Sequence, residues 1–234
     1  SLTTLTNGEL TLINGGTATA PNVTNIDDAD LFVSGGVTLS LPSVTSARLN
    51  RDGNFGDPTW RADGSGSMID LSNVTMLTQT ALTEANIEAL AGGQVDLSGV
   101  VTIDITAGGF SFQDRDIDVL ADGTSSLVDF SSLTTFNDQG PERSVLSAVN
   151  GGEIRVPNMT IARRVDVTID GAGTLATAQI VDATDSRFVA DGVPIDLMSL
   201  ITLTNGELTL INGGTATAPN VTNMDAADPF ASGG

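Results

Sequence analysis

The sequence contains no cysteine, histidine, tyrosine or lysine, and its nine basic residues are all arginine. Without cysteine it forms neither disulfides nor thiolate zinc sites, and its redox compartment is left open. Without histidine and lysine it lacks two of the usual proton-transfer groups, so acid–base chemistry would fall to carboxylates and arginine. Aromatics make up only 4%, with a single tryptophan, so a core must be filled by aliphatic side chains. No apolar run approaches the length of a membrane span, and Ser1 opens no signal peptide. An export signal or anchor is therefore expected outside this stretch, and membrane insertion within it is not. Basic charge is scarce enough to leave a net charge of −20 and a pI near 4.1. Nucleic acid and anionic membranes both need clustered cations, so neither is expected as a partner.

What the sequence has in abundance is repetition. Residues 1–36 read SLTTLTNGELTLINGGTATAPNVTNIDDADLFVSGG, and residues 199–234 repeat them 198 positions later. Five positions differ: Thr3/Ile201, Ile26/Met224, Asp28/Ala226, Leu31/Pro229 and Val33/Ala231. Such identity over a long offset marks a tandem array of large units, and the chain is expected to be a slice of a longer one.

A shorter repeat runs inside the unit. GGTATAPNVT (Gly15–Thr24), GGVTLSLPSVT (Gly35–Thr45), GSMIDLSNVT (Gly66–Thr75), GGQVDLSGVVT (Gly92–Thr102) and GGEIRVPNMT (Gly151–Thr160) share one plan. Small residues lead into an alternating run, then Pro or Ser, a small polar residue, an aliphatic and Thr. A second alternating run precedes each glycine pair, as in ELTLINGG (Glu9–Gly16) and RFVADG (Arg187–Gly192). Period-two alternation broken by Gly, Asn and Asp predicts strands, about three short ones per minimal unit of about 21 residues. One exception is TEANIEALAGG (Thr83–Gly93), which starts at an N-cap residue, ends at glycine and reads as a helix.

A unit this small cannot bury its apolar face alone but can when units stack, each strand pairing in parallel with its counterpart about 4.8 Å above. The expected fold is all-β: one continuous solenoid over residues 1–234, a single-stranded right-handed parallel β-helix. Leu12, Phe32, Trp60, Val119, Phe188 and Leu210 each lie four residues before a glycine and are expected to fill one inner column.

In these motifs and their spacing the chain resembles the β-solenoid repeat regions of very large bacterial surface and secreted proteins, including filamentous-haemagglutinin-like and autotransporter-like adhesins. The resemblance implies an extracellular or cell-surface location and an architectural role as part of a fibre, stalk or surface layer. Its partner would be the protein itself, through continuation or polymerisation of coils and lateral packing. The alternative it suggests is an adhesin-like binding module; a β-helix polysaccharide lyase or hydrolase is a more distant one. An enzyme is not expected.

Surplus residues fall at one place in the short repeat, within Arg48–Trp60, Gln79–Glu88, Ala107–Arg115 and Thr135–Arg143. Insertions at one corner of successive coils share an edge, which makes Arg48, Arg51, Trp60, Arg115 and Arg143 a candidate interaction edge. Neutral drift of loops on a tolerant corner explains the same pattern.

Other signals have bland readings beside the functional ones. Asp114, Asp116 and Asp118 resemble the start of a calcium loop, but the sixth and twelfth positions hold Val119 and Ser125 instead of Gly and Glu. Aspartates alternating on a solvent-facing strand are the simpler reading. Asp27, Asp28 and Asp30 form an acidic bend that would suit calcium, yet Asp28 is Ala226 in the second copy. No cofactor is expected; calcium is possible without a specific motif. Asn22, Asn73, Asn158 and Asn220 open N-x-T triplets, while Ser43, Gly99, Ser132 and Ser199 hold the same position, so a turn preferring small polar residues accounts for all of them. A flat Thr-x-Thr array for ice binding breaks at once, since Val37 and Leu39 follow Thr17 and Thr19. For catalysis only Arg155, Arg163 and Arg164 near Asp166 form a cluster, and surface ion pairs explain it.

Overall fold

The structure, a computed structural model, describes residues 2–50, 56–80, 83–106 and 115–231, with the backbone alone at 229–231. Among the described residues every regular element is a β-strand, and no helix is long and apolar enough to cross a membrane. The strands form four sheets of ten, seven, five and two members. All strand pairings within them are parallel, for example Asp116–Asp122 with Glu84–Leu90 and Glu153–Arg155 with Leu127–Asp129. The chain visits the sheets in rotation. Asp30–Ser34 lies in the ten-stranded sheet, Val37–Ser40 in the seven-stranded, Ser46–Arg48 in the five-stranded, and Thr59–Asp63 returns to the first. Each circuit lays one rung on the last, an arrangement compatible with a parallel β-helix.

Register follows the repeat. Glu9 pairs with Asp30 and Val145 with Asp166, each 21 positions on, whereas Asn86 pairs with Asp118 across a longer circuit. The two 36-residue copies take the same register: Glu9↔Asp30 recurs as Glu207↔Asp228, and Leu12↔Val33 as Leu210↔Ala231. Their bends also agree, with Asn7 and Asn205 at φ 51° and 52°, and Asp28 and Ala226 at 61° and 57°.

Because strand side chains alternate, every other residue of the ten-stranded sheet enters the core. One inner column runs Leu31, Trp60, Ile87, Val119, Leu146, Val167 and Phe188; a second runs Val33, Ala62, Ala89, Ala121, Ala148 and Ile169. The column expected from glycine spacing is therefore divided. Trp60, Val119 and Phe188 share the first, while Leu12 and Leu210 belong to the second. Phe32 belongs to neither. Its neighbours Leu31 and Val33 are buried, so it faces outward, with the Arg61 guanidinium 6.0 Å from its ring centroid. A one-residue slip in counting back from a glycine pair exchanges the two faces.

The helix expected over Thr83–Gly93 is absent; Glu84–Leu90 is a strand between Thr59–Asp63 and Asp116–Asp122. Its buried residues, Ala85, Ile87 and Ala89, repeat every second position. Two neighbouring edges satisfy its amides and carbonyls, and that pairing overrides local helix propensity.

Several of the glycines that follow strands of the ten-stranded sheet have a steric cause. A Cβ on Gly93 would lie 2.1 Å from the Ala62 carbonyl oxygen, and one on Gly152 2.1 Å from that of Ala121. At the next corner a tight turn closes on an aliphatic pair, as in Val44 N to Leu41 O (3.2 Å) and Val100 N to Leu97 O (2.9 Å).

Candidate functional site

The connections between the five-stranded and ten-stranded sheets vary in length: residues 49–58, 80–83, 106–115 and 139–143. In the shortest circuits that junction nearly vanishes, since Ile161–Arg163 leads directly to Val165–Ile169. The candidate edge residues are not alike. Arg48 is about half exposed and pairs with Asp28 at 3.1 Å. Arg143 is partly exposed and lies 3.8 Å from Asp166. Arg51 lies outside the described residues. Trp60 and Arg115 correct the expectation, since both are buried. Trp60 is 0% exposed in the inner column, and Arg115 is 3% exposed with Nη1 donating to the Thr106 carbonyl at 2.9 Å. Their place at the insertions reflects core filling and loop anchoring, two roles that position in the repeat does not distinguish from surface display.

The arginines expected to cluster are separated by their partners. Arg155 pairs with Asp129 (2.8 Å) and Glu153 (2.9 Å), and Arg163 with Asp182 (2.6 Å). Arg164 donates to the Pro141 and Glu142 carbonyls at 2.9 and 3.1 Å, pinning one long connection. Asp166 receives Arg187 at 2.8 Å. Burial raises the Asp166 pKa, while Arg187 and Arg143 oppose the rise. A shallow cleft of about 320 Å³ opens between Pro141, Glu142, Arg143, Arg164 and Asp166. It sets donors and acceptors side by side without a nucleophile and base in contact.

The acidic bend works as a structural clasp. Asp27 Oδ1 accepts the Arg48 amide at 2.9 Å, Asp28 accepts Arg48 Nη2 at 3.1 Å, and Asp30 Oδ1 accepts the Thr59 amide at 2.9 Å. All three carboxylates hold the next rung. Among the described residues no group of three or more His, Asp or Glu side chains is placed to hold a metal ion.

Asp114 lies outside the described residues, and its two partners in the alternating run are less exposed than expected. Asp116 is 8% exposed. Asp118 sits on the outer face beside Asn86 and Val145, whose amide donates to it at 3.0 Å. Burial, then the nearby Glu84 charge, pushes Asp118 up to about 6, with Asp166 and Asp138 adding to the rise and the Val145 amide opposing it. Sequence reasoning missed the neighbouring buried carboxylate, Asp138. It accepts the Gly140 amide (2.6 Å) and both the amide (2.9 Å) and hydroxyl (2.8 Å) of Ser144. Burial still raises its pKa. The Ser144 hydroxyl in turn accepts the Ile117 amide at 3.0 Å, as Ser186 accepts that of Val165 at 3.0 Å. A serine at the start of a strand, as Ser144, or just before one, as Ser186, was the available signal.

The N-x-T triplets acquire a clear role. Asn73 Nδ2 donates to Pro42 O (2.8 Å), Asn158 Nδ2 to Ser131 O (2.7 Å) and Asn220 Nδ2 to Met198 O (2.7 Å). Each bond reaches back to the preceding rung, and Ser43 Oγ does the same to Pro21 O at 2.6 Å. The threonines form a parallel ladder, Thr75 Oγ1 donating to Thr45 O and Thr134 Oγ1 to Val101 O, both at 3.1 Å. The repeated P-N-Φ-T motif thus serves rung-to-rung attachment, and the nitrogen a glycan would modify is the donor in three such bonds.

Comparison with protein families, curated proteins and solved structures finds no match to this chain.

Proposed function

We propose that the chain is a segment of an extracellular structural β-solenoid, part of a fibre, stalk or surface layer, in which length and surface regularity are the product. In this reading the rungs form a right-handed β-helix with a minimal coil of about 21 residues; right-handedness is the strong preference of parallel crossovers. The observation that carries it is the pair of 36-residue copies: nearly identical text, the same register and the same bends. A unit whose fold repeats on its own axis adds length without changing cross-section.

Small-angle scattering tests this. A chain with a second 198-residue unit in tandem should gain about 38 Å in length, eight rungs at about 4.8 Å each, with an unchanged cross-sectional radius. A thicker particle or two separate globules would refute the reading. The adhesin-like alternative is supported by the variable length of the connections between the five-stranded and ten-stranded sheets, with Arg48 and Arg143 partly exposed. Glycan-array binding lost in R48A/R143A would favour it.

A further inference from the structure

One strip of the surface carries no charge, although the chain carries −20. Residues 41–47, 71–78, 97–103, 130–137 and 156–162 contain no Asp, Glu or Arg; on successive rungs they form the corner that leads into the five-stranded sheet. The strip continues through residues 171–181 and 197–206, likewise uncharged, since the Val181 amide donates to Thr160 O and that of Ile201 to Val181 O. Attachment to the preceding rung accounts for its asparagines and threonines. It does not account for Val101 and Ile201, which stand in the threonine ladder without a hydroxyl, or for Met76 beside them; these are 43, 45 and 44% exposed. Charged columns flank the strip. On one side Asp70, Asp96 and Asp129 stack with Arg155, three carboxylates against one guanidinium, net −2. On the other, Arg48 and Arg163 share a column with Asp104, two guanidiniums against one carboxylate, net +1.

We propose that this uncharged strip is a lateral interface between two copies of the chain, lying side by side with parallel axes about a two-fold along the rod. The proposal rests on the reading above of the chain as a rod of stacked rungs. Bodies of like net charge repel, and contact through the strip keeps carboxylates out of the interface centre, where charge is normally depleted. Orientation follows from the flanks. Parallel copies set the Asp70 column of each against the Arg48 column of the other, whereas antiparallel copies would set each column against itself, carboxylates facing carboxylates. Seven rungs about 34 Å long and about 20 Å wide would bury about 1,400 Å² between two copies, inside the range of about 1,200–2,000 Å² for a specific pair.

Sedimentation velocity tests this from about 0.01 M to about 1 M NaCl, over which the Debye length falls from about 30 Å to about 3 Å. Association should strengthen with salt as the −20 repulsion is screened. T134D/T160D should weaken it at least ten-fold, and T134V/T160V, which loses the same two hydroxyl bonds but stays uncharged, should leave it intact. S147D/T168D adds the same charge on the outer face of the ten-stranded sheet and should weaken it far less than T134D/T160D. Tryptophan emission from buried Trp60 shows that each variant is folded. The absence of native cysteine lets orientation be read separately: T75C and T160C should each oxidise to a dimer alone, and a mixture should add no T75C–T160C species. A chain monomeric at every salt concentration, with or without affinity for an added polysaccharide, would overturn the interface. Equal weakening by the two aspartate variants, or a preferred T75C–T160C species, would do the same. The rod's length and cross-section, measured by scattering on dilute monomer, do not depend on any of these outcomes, so the two readings fail separately.

Discussion

The Trp60 indole Nε1 donates to the backbone carbonyl of Ala29, 3.1 Å away on the preceding rung, and the ring is fully buried. One side chain thus fills the inner column and satisfies a carbonyl at the bend before Asp30. Trp60→Ala should cost about 3–5 kcal/mol. Trp60→Phe should cost less, keeping most of the volume but leaving the carbonyl unpaired. Denaturant unfolding checks the order. In the wild type the chain's single tryptophan reports it directly, with blue-shifted fluorescence that reddens as the rungs separate.

At some positions after strands of the ten-stranded sheet, glycine is required by backbone approach. Gly152→Ala would drive a methyl into the Ala121 carbonyl, and Gly93→Ala into that of Ala62. Each substitution should destabilise by about 1–3 kcal/mol. A melting temperature unchanged in both would contradict the packing.

Ala91 shows the opposite case, an exposed non-glycine at φ 50°. The left-handed conformation costs an L-residue about 1–2 kcal/mol, partly offset for glycine by chain entropy. Ala91→Gly should therefore stabilise by up to about 1 kcal/mol, seen as a higher denaturation midpoint with unchanged slope.

Asp118 makes a pH prediction of definite sign. Its folded pKa, pushed up to about 6, exceeds the ordinary carboxylate value of 3.8. The folded state therefore binds this proton more tightly than the unfolded chain. Its stabilising contribution is complete below pH 3.8 and is lost as pH rises through 6. Asp118→Asn should stabilise at pH 7, by about 1–2 kcal/mol after allowing for solvent screening at this partly exposed site, with the gain shrinking toward pH 4. Paired unfolding curves at the two pH values measure it; an advantage that grows on acidification would exclude the mechanism.

The Asn ladder predicts small, repeatable losses. Asn73→Ala and Asn158→Ala each remove one amide–carbonyl bond to the preceding rung and should cost about 1 kcal/mol. Placed three rungs apart, about 14 Å at the usual strand spacing, they should combine additively in the double variant, as measured by chemical denaturation.

Much was legible without coordinates because strand alternation, glycine pairs and near-identical copies are properties of the text itself. They determine an all-β chain that stacks, and they identify the Pro-Asn-Φ-Thr stretch as a recurring corner. What each residue touches was decided only by the neighbouring rung. Phe32 and Leu31 are adjacent apolar candidates for the inner face, and pairing with Trp60 chose Leu31 for the core. Glu84–Leu90 carries helix-like ends, yet two flanking strands supply partners that an isolated helix would have to find within itself. Trp60 and Arg115 looked like surface residues of an insertion, and the folded chain buries both. Periodicity along a chain encodes which faces alternate; inward or outward is settled by contacts between residues that are distant in sequence, and those form only when the rungs meet.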